Sequence, residues 1–590
     1  MKQCLIGREQ YRRSSFVAVL LVFTVLATLF PVQARAQSDT IQTSVPSLKT
    51  VYAKDFYIGC ILSYRNIGFP TDTPVTGQST VVTPNGGYLV KFHMNSMTPG
   101  NNMKPQYTVD LSGSASAYNA ATTSQAKDSI DTHPIIRFNG DIIAQLNWVK
   151  RQGFRFRGHT LVWHSQTPGT GFFRSGYAAT GTRLTKEKMT DRMENYIKEV
   201  IRLIHESWPG VLFAMDVVNE AVNDNTGTDR TDSEWYVTFG DNSYIMKAFE
   251  LARKYTLLYG ESQIKLYYND YNTDIAAKAN GIVRVCSPIF RAGYLDGIGM
   301  QGHDDISYPS ADAWIASYNK FDAVCTEMAV TEYYVDAGTT TATPAIRALQ
   351  ANKYAQLFKI YLDRSYFSGR GKIINLTKDG LNDQWTFNLN SSSLWDSTNQ
   401  CKPAFYAVVN VGMNYHSLDS LISVSKLLQQ KDYTTASWGN FSVALASAKT
   451  AMSSNYSETV SAATGLGVAK DSLKAAISGL VKIVSGVEAS SGEIPGAFAL
   501  GQNYPNPFNP TTTISFQLPA PSGAEGSAVS FVKLTVYDAL GREAATLVNE
   551  EKSAGSHTVT WNAQNFSSGI YVYRIVAGDY VDSKKMLLMK

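Results

Sequence analysis

Cysteine and histidine are scarce in this chain, with five Cys and eight His in 590 residues and no Cys-x-x-Cys or His-x-x-x-His spacing among them. That shortage argues against a tetrahedral zinc site. An excess of one charge is also missing: 53 basic against 49 acidic residues leave a formal charge of +4 with no long Lys/Arg run, which speaks against a nucleic-acid groove or a membrane-surface helix. Long apolar runs are absent beyond Phe16–Phe30, and that run is short for a bilayer span. It follows Lys2, Arg8, Arg12 and Arg13 and precedes Ala34-Arg35-Ala36, the order of an export signal with a small-x-small cleavage site. Residues 1–36 are therefore expected to be removed, the mature chain beginning near Gln37 and carrying no membrane span. Cleavage removes Cys4 and leaves Cys60, Cys286, Cys325 and Cys401, an even number compatible with up to two bridges in an oxidising compartment.

What is present is enough apolar residue, 44%, to build packed cores, and a length that calls for about three or four units. The 33 Tyr and nine Trp suit flat, amphipathic ligands such as sugars. From Val51 to Val411, short β-rich runs alternate with longer helical ones, the rhythm of βα units around a parallel sheet. Candidate strands are Phe56–Leu62, Leu89–Met97, Phe154–Val162, Leu212–Val218, Ile264–Tyr268, Gly297–Gln301, Met328–Glu332 and Lys372–Leu376. Eight is the number that closes a (β/α)8 barrel. Met189, Met193, Ile197, Val200 and Ile204 recur at spacings of three and four and predict a helix packed on that sheet. Tyr244–Tyr259 and Ala345–Tyr366 read likewise.

After Val411 the composition shifts to Ser, Ala and Thr, and three amphipathic patterns (Leu418–Leu428, Trp438–Met452, Leu473–Leu480) predict a three-helix bundle over 413–484. With Tyr433-Thr434 leading into Ser437-Trp438, it resembles the FIVAR module of extracellular bacterial proteins, which implies a spacer or glycan-contacting role. A Ser/Gly-rich linker at 485–497 precedes a predicted β-sandwich over 498–590, with alternating Val532, Leu534 and Val536. Tyr504-Pro505-Asn506-Pro507-Phe508-Asn509-Pro510, Val536-Tyr537-Asp538, Leu540-Gly541-Arg542, Ser568-Gly569-Ile570-Tyr571 and the terminal Lys584–Lys590 are similar to the C-terminal sorting domain of type IX secretion cargo. The resemblance implies the type IX secretion machinery as partner and an extracellular chain, free or held at the cell surface.

Carboxylates at the C-terminal ends of strands are the groups a barrel places around its mouth. Glu220 ends Phe213-Ala214-Met215-Asp216-Val217-Val218-Asn219-Glu220, and Glu332 ends Met328-Ala329-Val330-Thr331-Glu332. Each alone reads as an ordinary strand-end ion pair. Three further strand ends turn polar with them: Gly158–Gln166 with His159, Trp163 and His164; Gly299–His303 with Gln301 and His303; and Tyr268–Asn272 with Tyr271.

The runs GHTLVWHSQ (Gly158–Gln166), DVVNEA (Asp216–Ala221), YYNDYN (Tyr267–Asn272), DGIGMQGH (Asp296–His303) and VTE (Val330–Glu332), together and in this order, resemble the xylanases of glycoside hydrolase family ten. The resemblance spans Lys54 to Val411, within a catalytic domain expected over 37–412. It implies a retaining endo-1,4-β-xylanase with Glu220 as acid/base and Glu332 as nucleophile. It also implies that His159, Trp163, Asn219, Gln301 and His303 bind sugar at the cleavage point, with Asn219 and Gln301 near the nucleophile, and that Asn101 and Lys104 grip hydroxyls.

Retaining carboxyls stand roughly 5–5.5 Å apart, so an ionised Glu332 holds the proton on Glu220 until glycosylation removes that charge. Neither metal nor organic cofactor is required. The expected ligands are xylan and xylo-oligosaccharides, and the expected state is a monomer. Three positions depart from the family: Gly100 stands where Glu is common, Tyr333-Tyr334 where Leu-Asp follows the nucleophile, and Lys378-Asp379-Gly380 where Trp-Gly is usual. These leave Asp336 as a candidate partner of His303, and Trp385 and Trp395 as candidates to roof the cleft. The rival readings are a retaining β-glucanase such as a cellulase, and a surface-displayed xylan-binding protein without catalysis.

Overall fold

The computed structural model describes residues 41–62, 86–366, 369–384, 386, 388–453, 462–483, 496–519 and 529–589. The export segment, most of the linker and Trp385 lie outside the described residues.

Nine parallel strands build the first domain: β1 Tyr57–Leu62, β2 Ser96–Pro99, β3 Arg155–Trp163, β4 Leu212–Asn219, β5 Lys265–Asp270, β6 Gly297–Met300, β7 His303–Asp305, β8 Glu327–Asp336 and β9 Lys372–Lys378. They run β6-β5-β4-β3-β2-β1-β9-β8, and pairing of β6 with β8 (Gly297 to Glu327, Ile298 to Met328) closes an eight-strand ring. The three-residue β7 continues β6 beyond a break and pairs with β8, His303 opposite Tyr334 and Asp305 opposite Asp336. The break is at Gln301-Gly302. Gly302 has φ 74°, and a Cβ there would stand 2.7 Å from Val330 Cγ1, so the kink that re-aims this strand end needs glycine.

Helices cover the ring as the periodicity predicts. In Lys186–Ser207 the residues Met189, Met193, Ile197, Val200 and Ile204 are all buried, and the Thr185 side chain caps the first turn through the Lys188 N–H at 3.4 Å. Ser243–Leu258 likewise buries one face, whereas Pro344–Ser365 is buried on all sides from Lys353 to Leu362. The expected strand Leu89–Met97 is a correction: Gly86–His93 is a helix, and only Ser96–Pro99 is strand. Leu89, Val90, Met94 and Met97 are all buried, and a short apolar run of this kind satisfies either period.

Helix Pro403–Ser425 crosses the expected boundary at 412, so one helix closes the barrel and opens the bundle with Thr435–Ser453 and Ala462–Ser478. Tyr52 donates to the Val408 carbonyl at 2.7 Å and ties the segment before β1 to that helix. The C-terminal domain holds two antiparallel sheets, β10-β11-β14 (Ala499–Leu500, Thr511–Leu518, Gly555–Asn562) and β13-β12-β15-β16 (Glu543–Ser553, Val529–Tyr537, Gly569–Ala577, Tyr580–Leu588). The alternation is met: Val532, Leu534 and Val536 are buried with Trp561 and Tyr573 in one core.

All four cysteines outside the export segment are free thiols, so neither of the bridges their even number allowed is formed. Cys60 sits on β1 in the core, where burial pushes its thiol up to about 12, while Cys286 lies inside a covering helix. Among the described residues no helix is long and apolar enough to cross a membrane.

Candidate active site

Glu220 follows the last residue of β4 and adopts φ 56°, a left-handed conformation for a non-glycine residue. Its carboxyl is buried under three N–H donors. Asn219 Nδ2 (3.0 Å) and Gln301 Nε2 (2.7 Å) both donate to Oε1, and Trp163 Nε1 donates to Oε2 at 2.8 Å. Asn219 is itself oriented from below: Asn269 Nδ2 donates to its Oδ1 at 2.9 Å, and Thr331 Oγ1 donates to Asn269 Oδ1 at 2.7 Å. His164 Nδ1 lies 3.9 Å from Glu220 Oε2. Burial and the nearby Arg230 pull that imidazole down to about 4, so it stands beside Glu220 as a neutral ring.

Glu332 has the opposite setting. Its backbone N–H donates to the Gln301 carbonyl at 2.9 Å, so Gln301 touches one carboxylate residue through its side chain and the other through its main chain. Its Oε2 lies 3.4 Å from His303 Nε2. Burial pushes the Glu332 carboxyl up, but the His303 hydrogen bond and the charges of His159, His303 and Lys104 outweigh it and carry the group below the usual carboxylate range. His303 moves the other way: burial pulls it down, while Glu332 raises it above an ordinary histidine. Ionisation of Glu332 falls away only as pH drops through its lowered value. Replacing His303 with Gln removes the lowering partner and leaves the burial, so the acidic limb of kcat/KM should move to higher pH. A pH–rate profile of the variant checks this.

Beneath the mouth, His159 Nδ1 meets Asp216 Oδ2 at 2.9 Å, and Arg157 Nε meets the same oxygen at 3.2 Å while its second nitrogen bonds Oδ1. Arg157 and Asp216 are both fully buried, and the guanidinium lies 4.2 Å from the Tyr267 ring centroid. Burial pushes the Asp216 carboxyl up, but Arg157 and His159 outweigh it and keep the group low. Arg157→Met strands that charge under His159 and should destabilise the barrel by about 3–5 kcal/mol, measured by denaturant unfolding.

Glu332, His159 and Lys104 open into a cleft of about 660 Å3 that also presents Asn101, Asp379 and Gln384. Lys104 Nζ bridges Asn101 Oδ1 (2.9 Å) and Gln166 Oε1 (2.7 Å) and stands 4.7 Å above the Trp163 ring. Burial lowers its pKa against the opposing pull of Glu332, Glu220 and Asp379. Tyr271 is set to one side, its hydroxyl donating to Asp224 and its ring under Lys278 Nζ at 4.6 Å.

Several expectations are corrected by this geometry. Asn219 and Gln301, expected near Glu332, direct their side-chain amides at Glu220, although Gln301 keeps its place beside Glu332 through its carbonyl. Asp336 is engaged by Asn388 Nδ2 (2.8 Å) and the Gly338 N–H (2.6 Å) in the following loop, and the group against His303 is the Tyr334 ring, stacked at 4.9 Å. Trp395 is fully buried between His93 and Phe405 and does not reach the cleft. Gln166 and His164, which belong to the same run as His159 and Trp163, were passed over as site residues, as was Asp216 at the head of its own run. Polar residues packed this densely in one short run were the available signal.

The family model described as glycosyl hydrolase family 10 matches residues 47–411, well over half of the chain. The chain belongs to glycosyl hydrolase family 10. A secretion system C-terminal sorting domain matches residues 502–589, which marks this family member as secreted cargo. Endo-1,4-beta-xylanase Y of Acetivibrio thermocellus is 31% identical over 394 residues, 64% of this chain and 33% of that protein. The beta-1,4-xylanase of Dictyoglomus thermophilum is 27% identical over 413 residues, 68% of this chain and 99% of that one. The solved CBM22-1 and GH10 modules of Clostridium thermocellum endo-1,4-beta-D-xylanase 10B, complexed with xylohexaose, match at TM-score 0.52 and 30% identity over 62% of this chain and 67% of theirs. The chain thus spans about a third of the first of these relatives and nearly all of the second.

Proposed function

We propose that the chain is a secreted endo-1,4-β-xylanase that hydrolyses internal xylosidic bonds of xylan by double displacement with net retention. The observation that carries this is the pair of unlike carboxyl environments at one barrel mouth. Glu332 is held ionised by His303, His159 and Lys104, whereas Glu220 is ringed by the uncharged donors Asn219, Gln301 and Trp163. An ionised group is ready to attack, and the second carboxyl, set in its own pocket of uncharged donors at the same mouth, is the one left to serve the leaving oxygen.

In the first step a Glu332 oxygen bonds to the anomeric carbon. The glycosidic C–O bond breaks, its electron pair goes to the leaving oxygen, and that oxygen takes the proton of Glu220. Oε1 accepts from two amides and Oε2 from the Trp163 N–H alone, so Oε2 is the oxygen with room for the proton. In the second step Glu220 takes a proton from water, the water oxygen bonds to the anomeric carbon, and Glu332 leaves as carboxylate. Asn101, Lys104, His159, Trp163 and His303 bind the sugar about the cleaved bond, with Tyr271 as a further contact. The sorting domain hands a monomeric chain to the type IX machinery, and the bundle acts as a spacer between barrel and sandwich.

The test is release of reducing ends from xylan and from carboxymethylcellulose by the purified full chain. Rapid release of mixed oligosaccharides from xylan with little from the cellulose derivative is expected. Preference for the cellulose derivative would make the chain a glucanase, and binding to xylan without release would make it a carbohydrate-binding protein.

A further inference from the structure

Glu220 sits on a peptide held by buried and part-buried groups that the chemistry above does not use. On one side the Glu220 carbonyl accepts from Arg230 Nε at 2.9 Å. On the other the Ala221 N–H donates to the Tyr268 hydroxyl at 3.0 Å, and that hydroxyl donates to Asp270 Oδ2 at 2.7 Å. Arg230 reaches Asp224 Oδ1 at 2.7 Å. The two arms meet at Lys278, whose Nζ lies 2.8 Å from Asp270 Oδ1, 3.0 Å from Asp224 Oδ1 and 2.8 Å from the Val222 carbonyl. The circuit is closed, from Glu220 through Arg230, Asp224, Lys278, Asp270 and Tyr268 back to Ala221.

Lys278 projects from helix Ala276–Arg291 and is fully buried, a rare state for an ammonium and a costly one unless it is paired. Its three donors have three acceptors, so the charge is satisfied with none to spare. A hydrocarbon side chain would avoid desolvating an ammonium but would leave Asp270 buried without its cation. What it could not do is hold two carboxylates at once, one behind each side of a peptide that has φ 56° at its acidic residue. Left-handed backbone of this kind persists where its surroundings over-determine it.

We propose that Lys278 is a positioning residue for the acid/base: it locks the Glu220–Ala221 peptide so that the Glu220 carboxyl is aimed at the leaving oxygen. This rests on the assignment of Glu220 made above. Misaiming a general acid costs most where the leaving group needs a proton and least where it departs as a stable anion.

The experiment compares kcat/KM on xylohexaose and on dinitrophenyl β-xylobioside for the full chain and for Lys278→Met, Tyr268→Phe and Glu220→Gln, with thermal unfolding of each. Lys278→Met is expected to lose about 100-fold on xylohexaose and to change little on the dinitrophenyl substrate. Tyr268→Phe removes only the hydroxyl between Ala221 and Asp270. It should show a smaller loss of the same sense and keeps the test open if the lysine variant does not fold. Equal losses on both substrates, or none on either, would overturn the proposal. If Glu220→Gln lacks the asymmetry, the acid/base assignment fails; if it shows the asymmetry and the circuit variants do not, the positioning role alone fails.

Discussion

Glu332→Ala is expected to lower kcat/KM on xylohexaose by at least about 10⁴-fold, because no covalent glycosyl-enzyme can form without the attacking carboxylate. Its surroundings make the effect specific. His303, His159 and Lys104 converge on this one group, so the shortened side chain leaves an anion-shaped space bordered by the Lys104 ammonium and two imidazoles. Azide should enter it. With dinitrophenyl β-xylobioside as substrate, azide attacks the face opposite the leaving group, and the product is an α-glycosyl azide. Rescue by azide with that configuration, read by NMR, identifies Glu332 as nucleophile. Undiminished hydrolysis of xylohexaose by Glu332→Ala would remove it from that role.

Glu220→Gln is expected to cost about 10³-fold on xylohexaose, in the range of general-acid contributions, while changing kcat/KM little for the dinitrophenyl leaving group. The amide is nearly isosteric, but it brings donors into a pocket built for an acceptor. With two N–H groups on Oε1 and the Trp163 N–H on Oε2, its NH2 must face one donor set, so at least one hydrogen bond is lost. Azide should again restore turnover, now by attack on the glycosyl-enzyme, where it needs no base. The product then has the β configuration, opposite to that from Glu332→Ala. Rate and stereochemistry of the pair of variants together separate the two carboxyl roles.

Much of this site was legible in the sequence, because the chemistry sits at strand ends and each strand end is a short run of polar residues after apolar ones. Asp216–Glu220 and Val330–Glu332 carry that signature. What was not legible is what those side chains face. Asn219 and Gln301 were expected beside Glu332, but the kink at Gly302 and the left-handed turn at Glu220 aim their amides at Glu220, and neither bend is written in hydrophobic periodicity. Asp336 lies close in sequence to Tyr334 yet turns to Asn388, because the loop after β9 folds back over it. Lys278 reads as one cation on an amphipathic helix. Its partners lie 8 and 54 residues away along the chain, a distance no local pattern spans. The helix at Gly86–His93 was read as strand because its apolar residues run on through Met94 to the true strand at Ser96–Pro99, and so short a stretch has too few turns to fix its period.

The central claim, that two unlike carboxyls act in sequence on one linkage, is tested most directly by following xylohexaose hydrolysis with proton NMR from the first seconds. The account predicts that the new reducing end emerges as the β-anomer and passes to the α-form only through mutarotation. First appearance of the α-anomer would contradict it.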